Sequence, residues 1–167
     1  MRIGLLSDTH SYLDSTLFNH FADCDEIWHA GDVGNVRVIE ELQSAHTVRG
    51  VFGNIDGQDI RSIFPEELRF QCAGLDVYMI HIGGYPGRYR PQVRQVMEED
   101  PPKLYICGHS HILKVIYDRK YACLHMNPGA CGQHGFHQMR TVIKFDIEAK
   151  KPCNAQVIEL GLRGRIP

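Results

Sequence analysis

The first three strand-sized apolar runs of this chain each end on residues able to bind a cation. That regularity constrains the fold more than any other feature. "RIGLL" (Arg2–Leu6) leads to Asp8 and His10, "EIWHA" (Glu26–Ala30) to Gly31-Asp32, and "HTVRGVF" (His46–Phe52) to Gly53-Asn54. Between them Leu13, Leu17, Phe18 and Phe21, then Val36, Ile39 and Leu42, recur at helical spacing. The resulting βαβαβ order predicts parallel strands joined by right-handed crossovers. Parallel strands bring their carboxyl ends to one edge, where binding and catalytic groups of open α/β sheets gather.

The second half reads as β-rich. "LRFQCAGLDVYMIHIGG" (Leu68–Gly84) predicts a hairpin turning near Ala73-Gly74, with His81 at its end. Pro91 opens a short helix carrying Val93, Val96 and Met97, which Pro101-Pro102 stops. "LYICGHSHI" (Leu104–Ile112) is another apolar run ending in Gly108, His109 and His111. If that segment stays extended, both imidazoles face one spot. "ILKVIYD", "YACLHMN", "TVIKFDI" and "AQVIEL" follow as four strand-like runs in meander spacing. The expected architecture is α/β in front and β-rich behind, two packed sheets with helices outside, as a single domain over residues 1–167.

Asp8, His10, Asp32, Asn54, His81, His109 and His111 form the donor set for two divalent metals. Singly, Asp8 reads more readily as a helix cap, and Gly31-Asp32 and Gly53-Asn54 as common turn pairs. Five strand ends all carrying chelating side chains are poorly explained by turn chemistry alone. Two metals about 3.5–4 Å apart make a clamp for in-line displacement at phosphorus. Two carboxylates against two dications leave a positive surplus suited to a hydroxide and a phosphate.

The net charge of -2 supplies no polybasic footprint, which disfavours nucleic acid as a macromolecular partner and an anionic membrane surface. No apolar run reaches membrane-spanning length, and the N-terminus lacks a signal-peptide pattern. Six scattered cysteines without a C-x-x-C pair predict buried thiols in a reducing compartment, so the expected location is cytoplasmic. A homodimer or higher homo-oligomer is left open.

"SDTH", "HAGD", "FGNID", "IHIGG", "GHSH" and "NPGA" (Asn127–Ala130), in that order, resemble the motifs of the calcineurin-like metallophosphoesterases, most closely their small single-domain prokaryotic phosphodiesterase branch. The resemblance spans Asp8 to about Arg140 and implies a four-layer α-β-β-α sandwich of two mixed sheets flanked by helices. It assigns Asp8, His10 and His111 to one metal, Asn54, His81 and His109 to the other, and Asp32 as the bridge. It implies hydrolysis of small phosphodiesters by a metal-bridging hydroxide, with Asn54, Asp32 and His81 catalytic. The family uses manganese, iron, zinc or nickel. The mixed oxygen and imidazole donors favour manganese, and the lack of a cysteine ligand disfavours a thiolate zinc site.

The chain departs from the family pattern at two places. Ile55 stands after "GN", where other branches carry the histidine taken as leaving-group acid, and "HIGG" replaces His-Gly-His around His81. His134 and His137 in "GQHGFHQ" are the alternative acids. His29 is either a supporting residue behind the ligands or a buried strand residue, and Asp56 either orients a ligand or Asn54, or caps a turn. "GYPGRYRP" (Gly84–Pro91) brings Arg88 and Arg90 near a ligand, and Arg88 is the expected substrate contact, unless the segment is simply a solvated loop. The rival readings are a non-catalytic metal-binding scaffold like the retromer subunit of this fold, and a phosphomonoesterase. A recombination-repair nuclease adds a capping domain for which 167 residues leave no room, a protein phosphatase is disfavoured by length and Ile55, and a metallo-β-lactamase-like site lacks its H-x-H-x-D-H loop.

Overall fold

The computed structural model describes residues 1–164. The first strands are β1 (Arg2–Leu6), β2 (Glu26–His29) and β3 (Thr47–Gly50), joined through α1 (Leu17–Phe21) and α2 (Val36–Gln43). After α3 (Gln58–Arg61) come β4 (Glu67–Cys72), β5 (Leu75–Ile80), and a small hairpin of β6 (Gly84–Tyr85) and β7 (Arg88–Tyr89). Helix α4 (Pro91–Glu99) leads to β8 (Leu104–Ile106), β9 (Leu113–Asp118), β10 (Cys123–Pro128), β11 (Met139–Glu148) and β12 (Lys151–Leu162).

Two five-stranded mixed sheets result, ordered β12-β11-β1-β2-β3 and β4-β5-β8-β10-β9. Alternation along the strands sorts the apolar side chains into three cores. Ile3 and Leu5 of β1, Trp28 of β2, Ile143 and Phe145 of β11 face Val77, Met79, Leu104, Ile106 and Met126 of the second sheet. Leu6, Ile27 and Val142 point the other way, against Leu17, Phe21, Ile39, Leu42 and Ile60 of the first three helices. Tyr78, Ile80, Tyr105 and Cys123 meet Val93 and Met97 of α4. Three cores between four layers are the expected α-β-β-α sandwich. Each large apolar side chain so buried contributes about 1.5–3 kcal/mol.

The parallel pairs are β1–β2, β2–β3, β5–β8 and β8–β10. The loops carrying Asp8, Asp32, Asn54, His81 and His109 therefore leave along the same strand directions within each sheet.

Several local expectations are corrected. The first helix covers only Leu17–Phe21, because Asp14 Oδ1 accepts from the Thr16 amide and hydroxyl just ahead of it and leaves Leu13 outside the helix. The third strand shortens to Thr47–Gly50. The four late runs are not one meander. The β9–β10 hairpin joins the second sheet, whereas β11 crosses to pair antiparallel with β1, Arg2 opposite Asp146. "GYPGRYRP" is no simple loop but the β6–β7 hairpin and the start of α4. All six cysteines are free thiols, five of them buried.

Candidate metal centre

The ligand loops are held to one another by backbone hydrogen bonds. The amides of Asp8, His10 and Ser11 donate to the carbonyls of Gly31, Asp32 and Val33, at 2.9, 3.1 and 2.8 Å. Gly132 N donates to Asp8 O, and Gly108 N to His81 O. Asp56 fastens the next pair of loops, accepting from the amides of Val33, Gly34 and Gly53 at 3.1, 2.7 and 2.7 Å. Its carboxylate thus ties the Asp32 loop to the Asn54 loop. His29 is fully buried, its Nδ1 accepting from Gly31 N and its Nε2 lying 2.9 Å from Thr9 Oγ1. Burial pushes its pKa down to about 4, so the ring is neutral and supports the ligand loops.

Two groups of ligand atoms converge: Asp8, His10 and His111 in one, Asp32, His81 and His109 in the other, each within 4.8 Å. The groups abut, since His81 Nε2 is 3.9 Å from Asp8 Oδ1, and Asp32 reaches both, with Oδ1 3.2 Å from His81 Nε2 and Oδ2 3.7 Å from His10 Nε2. Asn54 is exposed and shares with His81 the wall of a cavity of about 240 Å³.

His109 and His111 are not extended and do not face one spot. Both take left-handed backbone angles, φ 66° and 55°, which rotate the two rings into different groups. Asp8, His10 and Asp32 are left-handed as well, at φ 56°, 46° and 55°. Such residues cost about 1–3 kcal/mol each and persist where the surroundings over-determine them. Gly31 and Gly108 allow the approach: a Cβ on Gly31 would meet the His81 ring at 2.5 Å, and one on Gly108 would meet Ser7 Oγ at 2.1 Å.

The donor set fits a pair of cations. His81 Nδ1 lies 2.7 Å from the Ala30 carbonyl, which only accepts, so Nδ1 carries the proton. In the neutral ring Nε2 is then a bare lone pair, turned toward the oxygens of Asp32 and Asp8. His81 Nε2 and Asp8 Oδ1 are both buried without a hydrogen-bond partner. A proton or a cation between them relieves this repulsion, and a divalent cation satisfies several such lone pairs at once. Burial works against the charged form of His81, but Asp32 and Asp8 hold its pKa above the ordinary value. Burial also opposes ionisation of Asp32, which His81 and the Ile55 amide nevertheless keep below the usual carboxylate value. Burial lowers His10 and His109, which favours neutral, ligating rings.

The remaining candidates separate clearly. His137 stands behind His111, Nδ1 to Nδ1 at 3.3 Å, with Nε2 3.0 Å from Gly132 O. His134 is exposed, its ring centroid 4.9 Å from that of His10. Ile55 is 46% exposed and lines neither cavity beside the centre, its backbone amide donating to Asp32 Oδ1. Arg88 is exposed and lines neither cavity beside the centre, whereas Arg90 lines one of them. Asn127, the first residue of "NPGA", anchors the GHSH loop: its Nδ2 donates to Gly108 O at 2.8 Å. The turn-forming "NP" signal marks such a residue without telling which loop it holds.

Residues 1–150 match the profile of the calcineurin-like phosphoesterase superfamily domain. A probable metallophosphoesterase of Methanothermobacter thermautotrophicus is 32% identical over 116 residues, 66% of this chain and 67% of the relative. Among solved structures, an archaeal phosphodiesterase superposes with a TM-score of 0.74 at 21% identity, covering 96% of this chain and all of the other. Vps29 of Chaetomium thermophilum does so with 0.72 at 12% identity, covering 98% and 99%. At those identities the two structures speak for the fold alone.

Proposed function

The chain belongs to the calcineurin-like phosphoesterase superfamily, and from that premise we propose that it is a binuclear metal-dependent phosphodiesterase acting on small diesters. The observation that carries this reading is the pair of abutting ligand groups with Asp32 reaching into both. Bound there, two divalent ions, manganese foremost and iron, zinc or nickel as alternatives, would polarise the phosphoryl oxygens and supply a nucleophile from water at neutral pH.

The chain's own residues do the rest. Asp8, His10 and His111 would hold one cation, His81 and His109 with exposed Asn54 the other, and Asp32, which reaches toward both groups, would be shared. His81 is locked in its ligating tautomer by the Ala30 carbonyl. Asn54, exposed beside His81, presents an amide able to donate to a phosphoryl oxygen. Ile55 offers no proton to the departing oxygen, so turnover depends on an acidic leaving group, with exposed His134, beside His10, as the alternative acid. Two cavities flank the centre, of about 240 Å³ at Asn54 and His81 and about 150 Å³ at His109, with Ile82 in both walls. Two recesses suit the two arms of a diester better than the single arm of a monoester. Free, buried thiols fit a reducing compartment, which supports a cytoplasmic location.

The test is removal of metals with EDTA, single-metal reconstitution, and paired assays with bis(4-nitrophenyl) phosphate and 4-nitrophenyl phosphate. Activity is expected to vanish on chelation, return best with manganese, and favour the diester. Asp32→Asn is expected to lower occupancy of both metals, His109→Ala mainly one. Undiminished turnover by metal-free protein refutes the mechanism. A scaffold reading draws on the exposed apolar side chains of Ile112, Leu113, Val115, Ile116 and Tyr117 in and before β9. It is favoured instead if the fully metallated protein hydrolyses neither ester.

A further inference from the structure

The cavity of about 150 Å³ beside His109 lies between the β6–β7 hairpin, the start of α4 and the ends of β8 to β10. Ligand pockets for drug-sized molecules span about 300–1,000 Å³. This recess is therefore sized for an end group. Its wall carries two cations, Arg90 and Lys114, and no carboxylate. Among the described residues neither cation is in a salt bridge. Lys114 Nζ sits 3.6 Å from the centroid of the Tyr85 ring, which positions the ammonium without neutralising it.

Two neutral groups in the same wall are also short of partners. Ser110 Oγ accepts from Asn127 Nδ2 at 3.2 Å and from Ile112 N at 3.3 Å. Both lone pairs are used, so its O–H remains to donate. His125, 1% exposed, stacks on Tyr105 with centroids 5.0 Å apart, and its Nδ1 is buried without a partner. Two unneutralised cations and a free hydroxyl donor, with no acid among them, make a receptor for a compact oxyanion.

We propose that this recess is a specificity subsite for a carboxylate or phosphate carried at the end of one arm of the substrate, gripped by Arg90, Lys114 and Ser110. The assignment rests on the phosphodiesterase reading and narrows it: the favoured diesters carry a second negative group a few bonds from the scissile phosphorus.

Three 4-nitrophenyl diesters test it, with butyl, 3-carboxypropyl and 3-phosphonooxypropyl second arms. KM is expected to fall about tenfold for at least one anionic arm relative to butyl, and the two anionic arms rank carboxylate against phosphate. In Arg90→Gln/Lys114→Gln the ratio of KM values is expected to collapse toward one. A second readout avoids turnover: NMR titration of chelator-treated protein with inorganic phosphate and with butyrate. One of these anions is expected to shift the Ser110 and Lys114 amide signals in the parent and not in the double variant. Diester turnover with equal KM for all three arms and no shift overturns the subsite while leaving the phosphodiesterase reading standing. Shifts at Ser110 and Lys114 without turnover of any diester support the anion site and overturn that reading. If the double variant does not fold, the three-arm comparison in the parent still decides.

Discussion

His137 fixes the tautomer of His111. The Gly132 carbonyl only accepts, so His137 Nε2 at 3.0 Å carries the proton and its Nδ1 is bare. His111 Nδ1, 3.3 Å away, must then donate, which leaves His111 Nε2 free to bind a cation. Removing such an outer partner typically costs about 10–100-fold in metal affinity. His137→Phe is therefore expected to weaken the Asp8–His10–His111 site by about that factor, measured by competition with a fluorescent chelator. His134→Phe leaves this relay in place. Equal affinities in parent and His137→Phe would show that the relay does nothing.

With Ile55 after Asn54, leaving-group protonation lacks the usual neighbour, and a positioned acid supplies about 10²–10⁴-fold. Rates across a series of aryl and alkyl diesters are expected to drop steeply as leaving-group pKa rises. Ile55→His is expected to flatten that slope more than it raises the rate on nitrophenyl esters. A shallow slope in the parent protein points to an acid already present, and loss of rate on poor leaving groups in His134→Ala locates it.

Arg140 and Asp14, 126 positions apart in sequence, form an ion pair of 2.7 Å with both side chains almost fully buried. Truncating one partner strands the other charge away from water, at a cost of about 3–5 kcal/mol. Arg140→Met is expected to lower the unfolding free energy by about that amount, and Asp14→Leu/Arg140→Met to recover much of it. Urea unfolding measures both. A single-variant loss below about 1 kcal/mol would place the pair in the class of surface bridges.

Burial pushes His29 and His125 down to about 4, against an ordinary 6.5. Between those values the unfolded chain binds a proton at each ring and the folded protein does not. The stability these neutral rings permit is complete above about pH 6.5 and is lost as pH falls toward 4, each ring contributing about 1.4 kcal/mol per pH unit. Urea unfolding of chelated protein from pH 7 to 5 is expected to show this slope, and His125→Gln to reduce it by one ring's share. An identical slope in parent and variant would mean that His125 titrates normally.

What the sequence determined by itself is local. Alternation in "RIGLL" and "LDVYMI" set which side chains enter the inter-sheet core, because a strand's period of two is a property of its own backbone. The turn pairs Gly31-Asp32 and Gly53-Asn54 marked where strands stop, and of the seven chelating residues beyond those stops six converge in two groups while Asn54 stays outside both. Tertiary structure decided whatever depends on distant partners. Local periodicity put His109 and His111 on one side. Packing instead holds each at positive φ and sends them to different groups. The runs after residue 112 are alike in sequence, and only the pairing of β11 with β1 divides them between two sheets. Arg90, Lys114 and His125 come from separate elements and meet in one wall only when α4 and the second sheet are assembled. A side chain's direction is written in its neighbours along the chain, but its company is set by contacts across it.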